Sequence, residues 1–334
     1  MMKKILILGG IGFIGLALTK KLLQKNCLIY NIDNLQRGEL DDEAKQTLNN
    51  HNINFINADL SKENIFKNLL NKKIKFDEIY FFASYVGVKY TKTMPDQVLI
   101  KNSKIILNVI DYWSKTNAKL LFSSTSEIYS GGLEVIEDFI IPTPETVPLI
   151  FNDIKNPRFT YSISKLFGET AIHTLSSTHQ KKAVIVRFHN IYGPRMGYEH
   201  VIPELCLRLI RNENPYNLYG CEQTRAFCFI DDAIDMVVAA MKKSNYNVQT
   251  YNIGNDSEEI SIKNLLNIII KEAQIEPKII NFLKAPSGSP DRRCPNIEKI
   301  KKECKIIPKI KLSEGIKKIF EWYKLNYPNG IPPR

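Results

Sequence analysis

Tyr161 and Lys165 stand four residues apart in Tyr-Ser-Ile-Ser-Lys, a spacing that puts both side chains on one helix face. A free tyrosine ionises with a pKa of about 10, so roughly one in a thousand is charged at neutral pH. Bringing it to ~7 takes about 4 kcal/mol of extra stabilisation of the phenolate. A neighbouring ammonium and a second positive charge close by can supply that by Coulomb attraction in a partly dry site. The phenolate then takes the proton of an alcohol while a hydride leaves the same carbon. By itself the pair is weak, because an exposed aromatic beside a solvated lysine has the same spacing.

Two further groups of residues strengthen it. Ser123-Ser124-Thr125-Ser126-Glu127-Ile128-Tyr129 is a hydroxyl cluster following an apolar run, Lys119–Phe122, of strand length. Gly9-Gly10-Ile11-Gly12-Phe13-Ile14-Gly15 follows the first apolar run and opens the first helical pattern. In that context Gly9 permits a tight turn, Gly12 lets backbone approach a pyrophosphate, and Gly15 lets helix and strand pack closely. The helix amino terminus, at Phe13 and Ile14, presents N–H groups and a partial positive charge to the phosphates. Asp33 ends the second run about 20 residues on, where a carboxylate grips an adenosine ribose, with Asn34 beside it. A carboxylate there repels a 2′-phosphate, which favours NAD over NADP; Arg37 weakens that preference a little. Asp59 and Leu60 follow the third run and are candidates for the adenine edge, although Asp59 reads equally well as a cap.

The elements that must position these groups are legible as alternation. Lys4–Leu8, Leu28–Ile32, Asn54–Asn57, Ile79–Phe82, Lys119–Phe122 and Ala183–Phe188 are short and apolar, bounded by polar or turn residues. Helical periodicity lies between several of them, in Phe13–Gln24, Gln97–Trp113 and Tyr161–Leu175. Strand–helix–strand repetition implies an α/β chain, a Rossmann-like doubly wound parallel sheet covered on both faces. Beyond Phe188 prolines punctuate the pattern, then a strand (Ala226–Ile230), a helix (Asp232–Met241) and a strand (Tyr251–Ile253) return to the sheet. The expected division is a NAD-binding domain over 1–190 with 226–254 returning to it. A smaller C-terminal α/β substrate lobe takes 191–225 and 255–334, with a loop at Pro286–Pro290 and a final helix near Ser313–Leu325.

Together these residues resemble the extended short-chain dehydrogenase/reductase family, the NAD-dependent epimerases and dehydratases of nucleotide sugars. The resemblance spans nearly the whole chain. It runs through the glycine turn, Asp33, Phe82-Ala83-Ser84, Asn102, Ser-Thr-Ser-Glu-Ile-Tyr, Tyr161/Lys165 and Arg187-Phe-His-Asn-Ile-Tyr-Gly-Pro-Arg195. It implies a Thr125–Tyr161–Lys165 triad, with Thr125 bonding the reacting hydroxyl and Lys165 also bonding the nicotinamide ribose. Phe82, Ala83, Ser84, Asn102 and Ser123 would line the NAD site. Asn190 and Val201 would face a nucleoside-diphosphate sugar, and Arg225 and Arg292 would clamp its diphosphate through bidentate bonds. Glu127 resembles the glutamate of the dehydratases and UDP-glucuronate decarboxylases, where it serves as base or proton shuttle on a ketone intermediate. The second lobe is similar to the decarboxylases in Gly193-Pro-Arg-Met196, Gln223-Thr-Arg-Ala-Phe227 and Arg292-Arg-Cys-Pro295. It departs from them at Gly197-Tyr-Glu-His-Val201, which lacks their arginine and carries Glu199 in the loop. The family also implies a homodimer in which Gln97–Trp113 and Tyr161–Leu175 form a four-helix bundle.

Composition narrows the remaining classes. The 334 residues are 44% apolar and 24% charged, ordinary for a globular chain. A net charge of +11 suits an anionic partner, but the lysines are scattered without a compact basic block interleaved with aromatics. A phosphorylated small molecule therefore fits better than nucleic acid. The six cysteines form no Cys-x-x-Cys pair and no metal-ligand spacing, so no metal site and a reducing cytoplasm are expected. No apolar run approaches the ~20 residues of a membrane span. The opening Met-Met-Lys-Lys with Ile5–Leu18 has the look of a signal peptide, but its spaced glycines and missing Ala-x-Ala site argue against one.

Overall fold

The computed structural model describes residues 2–37, 40–71, 73–286 and 289–332. Its contacts divide the chain into two compact units. The first comprises the chain up to Tyr129 together with Leu149–Phe188 and Ile234–Tyr251; the second comprises Ser130–Pro148, His189–Ala233 and everything from Asn252 on.

The first unit is built on a seven-stranded sheet. Its elements are β1 (Lys3–Leu8), α1 (Phe13–Leu23), β2 (Cys27–Asp33), β3 (Ile53–Asn57), β4 (Glu78–Phe81), α2 (Pro95–Ser114), β5 (Lys119–Thr125), α3 (Phe159–His179), β6 (Ala183–Phe188) and β7 (Gln249–Ile253). They stand in the order β7-β6-β5-β4-β1-β2-β3, with parallel pairing from β6 through β3. The order reverses beside β1, so the crevice outside the carboxyl ends of β1 and β4 is a topological switch point, where ligands bind in open α/β sheets. Ile5 to Leu8 and Leu120 to Phe122 are buried without alternation, as strands covered on both faces require. Leu6, Leu8, Phe81, Leu120, Phe122 and Ile185 form one core cluster with Ile106, Val109 and Trp113 of α2. Helix α3 lies directly on β5: a Cβ at Gly168 would come within 2.5 Å of the Phe122 ring. Arg187 ties the same helix to β6 through two bonds to Glu169, 3.0 and 2.7 Å, and a third to the Tyr129 hydroxyl, 2.7 Å.

The second unit holds a small mixed sheet, Glu259–Ser261 antiparallel to Thr224–Ala226, which in turn runs parallel to Arg292–Arg293. A parallel pair, Tyr216–Tyr219 with Ile280–Leu283, and the helices Val201–Ile210, Ile262–Ala273 and Leu312–Asn326 complete its frame.

Three expectations are adjusted. The fifth strand runs to Thr125 rather than Phe122, because Ser123, Ser124 and Thr125 pair in register with Val186, Arg187 and Phe188. The run expected as one strand over 226–230 and as a return to the large sheet is two short strands, Thr224–Ala226 and Cys228–Phe229, in small sheets of the second unit, with a helix beginning at Ile230; the strand that joins the large sheet is Gln249–Ile253. Residues 130–148, placed by the sequence in the first domain, pack in the second unit: Thr143 N–H donates to the Cys294 carbonyl, and Asn252 bonds both Glu145 and the Thr143 carbonyl. Among the described residues, no helix is long and apolar enough to cross a membrane, and no group of His, Cys, Asp or Glu is placed to hold a metal.

Candidate active site

The glycine turn joins β1 to α1 at the switch point. Gly9 has φ +83°, a conformation open to glycine, and its N–H donates to the Ile32 carbonyl. A Cβ at Gly15 would collide with the Gly9 carbonyl oxygen, so helix and turn meet at a distance only glycine permits. Gly12 differs: a Cβ there would find only the Gly9 oxygen, at 3.6 Å, leaving open space in front of the helix. Gly12 is the N-cap of α1 and makes no side-chain cap bond. The first turn carries no acid, and Lys20 and Lys21 occupy the last turn. This helix start is suited to an anion by both geometry and charge.

Asp33 closes the other side of the crevice. Its Oδ2 accepts from Ile11 N–H at 3.0 Å and its Oδ1 from Leu35 N–H at 2.9 Å. A carboxylate has about four acceptor positions, so these bonds fix its orientation and leave capacity for ribose hydroxyls. Asn34 caps its own turn through the Gln36 N–H. This cradle, with its uncrowded glycine and fixed acid, fits the pyrophosphate and ribose of a dinucleotide.

At the carboxyl end of β5, four side chains named from the sequence come from neighbouring elements of one unit. Thr125 ends the strand, buried, and its Oγ1 accepts from the Glu127 N–H at 3.2 Å. Glu127 lies in the 3-10 turn Ser126–Tyr129. Tyr161 and Lys165 lie one turn apart on α3. Lys165 Nζ donates to the Ser123 carbonyl at 2.8 Å and stands 5.8 Å from the centroid of the Tyr161 ring. Burial lowers the Lys165 ammonium to about 7 against a smaller opposing pull from Glu169. Burial likewise pushes the Tyr161 phenol up to about 12; Arg37 lowers it, Glu127 raises it, and a bond to Ser84 lowers it. The protein's own groups therefore do not acidify the phenol as the helix spacing suggests. Desolvation outweighs the nearby charges, and the lysine is committed to a backbone carbonyl.

The other expected cofactor residues take mixed places. Phe82 and Ala83 N–H groups both donate to the Leu8 carbonyl, bending the chain away at the switch point. Asn102 is buried and spans the next two residues: its Oδ1 accepts from Ser84 Oγ and Tyr85 N–H, and its Nδ2 donates to the Tyr85 carbonyl. It shapes this loop from behind. Asp59 makes a turn with both the N–H and hydroxyl of Ser61, and the Leu60 side chain belongs to the core cluster.

In the second unit, Asn190 has φ +43° and donates to the Ala226 carbonyl, and Val201 begins its helix. The two arginines expected to act together come from neighbouring paired strands, and both lower the pKa of the Glu259 carboxylate. In register, Arg292 stands opposite Thr224 and Arg293 opposite Arg225. The Arg225 guanidinium donates to the Asp291 carbonyl at 3.3 Å, next to Arg292 in the chain. Arg292 is already matched by Glu259, through bonds of 2.8 Å to each carboxylate oxygen. Arg225 is held at 2.7 Å by the Thr224 carbonyl and at 3.2 Å by Ser289 Oγ. Sequence reasoning missed Arg158, which pairs with Glu127 Oε2 at 3.2 Å.

Comparison with known proteins agrees with this architecture. The NAD dependent epimerase/dehydratase family matches residues 5–254. The chain is 28% identical over 337 residues to a UDP-N-acetyl-alpha-D-glucosaminuronate decarboxylase of Bacillus cytotoxicus, covering 97% of this chain and 98% of that one. It is 26% identical over 336 residues to the human dTDP-D-glucose 4,6-dehydratase, covering 98% and 91%. Among solved structures, a mutant UDP-glucuronic acid 4-epimerase of Bacillus cereus, in complex with UDP-4-deoxy-4-fluoro-glucuronic acid and NAD, superposes with a TM-score of 0.83. That pair is 25% identical and covers 97% of this chain and 100% of the other.

Proposed function

Since this chain belongs to the NAD dependent epimerase/dehydratase family, we propose that it oxidises the C4 hydroxyl of a nucleoside-diphosphate sugar to a 4-keto sugar. A step assisted by Glu127 follows: epimerisation, decarboxylation or dehydration, in the making of sugars for surface polysaccharides in the cytoplasm. The observation that carries this reading is the meeting of Thr125, Glu127, Tyr161 and Lys165 at the end of β5.

In this mechanism the Gly12 helix start and Asp33 hold NAD by its pyrophosphate and ribose, and Lys165 and Ser123 serve its nicotinamide end. Bound NAD supplies the hydride acceptor and a positive charge. Thr125 Oγ1 bonds the sugar hydroxyl and orients it. Tyr161 is neutral in the protein alone, with a pKa of about 12; under the positive charge of bound NAD it would give its proton to solvent and, as phenolate, take the hydroxyl proton. The C4–H electron pair leaves as hydride, and a carbonyl remains. That carbonyl makes the adjacent C–H acidic, and where dehydration follows Glu127 would accept the proton released there. Arg225 and Arg292 bind the diphosphate, and Asn190 and Val201 belong to the same substrate surface.

The test is a panel of UDP-, GDP-, CDP- and dTDP-sugars incubated with enzyme and NAD. Conversion of one of them, with transient NADH, supports the reading; inertness toward all of them removes it. Mass spectrometry of the product separates the outcomes, since water loss, carbon dioxide loss, loss of two hydrogens and unchanged mass are distinct. We also propose a homodimer through α2 and α3. Its support is their exposed apolar side chains, Leu99, Ile100 and Leu107 on α2 and Phe167 on α3.

A further inference from the structure

We infer that Arg158 is the positioning residue of the step that follows oxidation, holding Glu127 as a directed anion; this rests on the reading of the site as a C4 oxidase.

Arg158 precedes α3 by one residue and lies three positions before Tyr161. Its backbone is set by its own turn, where the N–H donates to Asn156 Oδ1 at 3.1 Å. From there the guanidinium reaches Glu127, with Nε and Nη2 both donating to Oε2 at 3.3 and 3.2 Å. Glu127 is pinned at its other end, where its N–H donates to Thr125 Oγ1. One short path therefore connects the hydroxyl binder, the carboxylate, the arginine and the turn that carries the base.

Side-chain exposures of 24% and 29% put the pair at a half-buried place, less screened than open surface. An unpaired glutamate keeps its rotamer freedom and samples directions in which it cannot meet the sugar. The guanidinium, holding one carboxylate oxygen with two donors, restricts that freedom. An anionic Glu127 is an acceptor. In dehydration it takes the proton from the carbon beside the C4 ketone, the C–H electron pair passes into an enolate, and the hydroxyl on the following carbon then leaves as water with the proton held on Glu127. Arg158 acts through Glu127 and does not exchange a proton itself.

The experiment is a double-mutant cycle on pre-steady-state kinetics, with the nucleotide sugar that wild type converts. Arg158→Met is expected to leave NADH appearance within roughly three-fold of wild type and to slow consumption of the keto sugar roughly 10²-fold, the range for a lost acid–base partner. Arg158→Lys, which restores charge without the fork, recovers part of that loss. In a Glu127→Gln background, adding Arg158→Met changes consumption less than about two-fold, because the interaction is already gone. UDP affinity and melting temperature stay at their wild-type values. If Arg158→Met does not fold, Arg158→Gln carries the same expectations.

Multiplicative losses in the two backgrounds, a matching fall in NADH appearance, or weakened UDP binding would each overturn the assignment. So would a wild type that releases the keto sugar without converting it; that outcome leaves C4 oxidation standing. A wild type that forms no NADH with any sugar removes the functional reading and this one with it.

Discussion

At Tyr161 and Lys165, burial moves each group toward its neutral form, the phenol up to about 12 and the ammonium down to about 7. Replacing Tyr161 with Phe removes the proton acceptor alone; NAD reduction by the sugar should fall roughly 10²- to 10⁴-fold, the span of acid–base catalysis, with melting temperature and NAD affinity unchanged. Lys165 gives a second, sign-specific expectation for stability. Its folded pKa is below its unfolded value of about 10.4, so between about 7 and 10.4 the unfolded chain binds more protons. The burial cost is therefore full below about 7 and shrinks as pH rises to about 10.4. Lys165→Met should melt higher than wild type near pH 7, by a margin that narrows on raising the pH; a constant margin would contradict this. The four-residue spacing made the shared helix face legible in the sequence, but not that Lys165 donates to the Ser123 carbonyl, since that bond depends on β5 continuing three residues past its apolar run. Arg158 escaped notice because its partner Glu127 is 31 residues away, beyond any local pattern.

Among the elements, the β1–α1 turn separates structural from binding glycines. Gly15→Ala places a methyl against the Gly9 carbonyl and should destabilise the fold strongly. Gly12→Ala has room and an extended backbone, φ −63° and ψ 169°, that alanine adopts, so its melting temperature should stay close to wild type. That methyl lies where the pyrophosphate must approach, so NAD affinity, read by calorimetry, should fall at least ten-fold. Equal NAD affinity in Gly12→Ala and wild type would contradict the cradle. Strand and helix order was readable because doubly buried strands are continuous apolar runs. The end of β5 was not, because serines in a strand look like a loop until their partners on β6 are known. The pairing of the strands that carry Arg225 and Arg292 needed the register of two segments far apart in the chain.

For the molecule as a whole, Leu107 at 51% and Phe167 at 40% exposure are large apolar groups on two helices that pack together. Light scattering should find a dimer, and Leu107→Glu with Phe167→Glu should yield a monomer that keeps its secondary structure. A wild type that is monomeric at all concentrations would contradict the bundle. The alternation of elements announced the large sheet. The placement of 130–148 in the second unit could not be read, because it rests on bonds from Thr143 and Glu145 to residues more than a hundred positions on.

The proposed role of Tyr161 is to draw the proton from the sugar's C4 hydroxyl as that carbon is oxidised. A nucleotide sugar deuterated at C4 tests it directly, with rapid quenching and mass spectrometry of the recovered cofactor. Deuterium is expected in the NADH of wild type and none above background in Tyr161→Phe. A substrate that is converted without label reaching the cofactor, or label transfer undiminished in Tyr161→Phe, would contradict it.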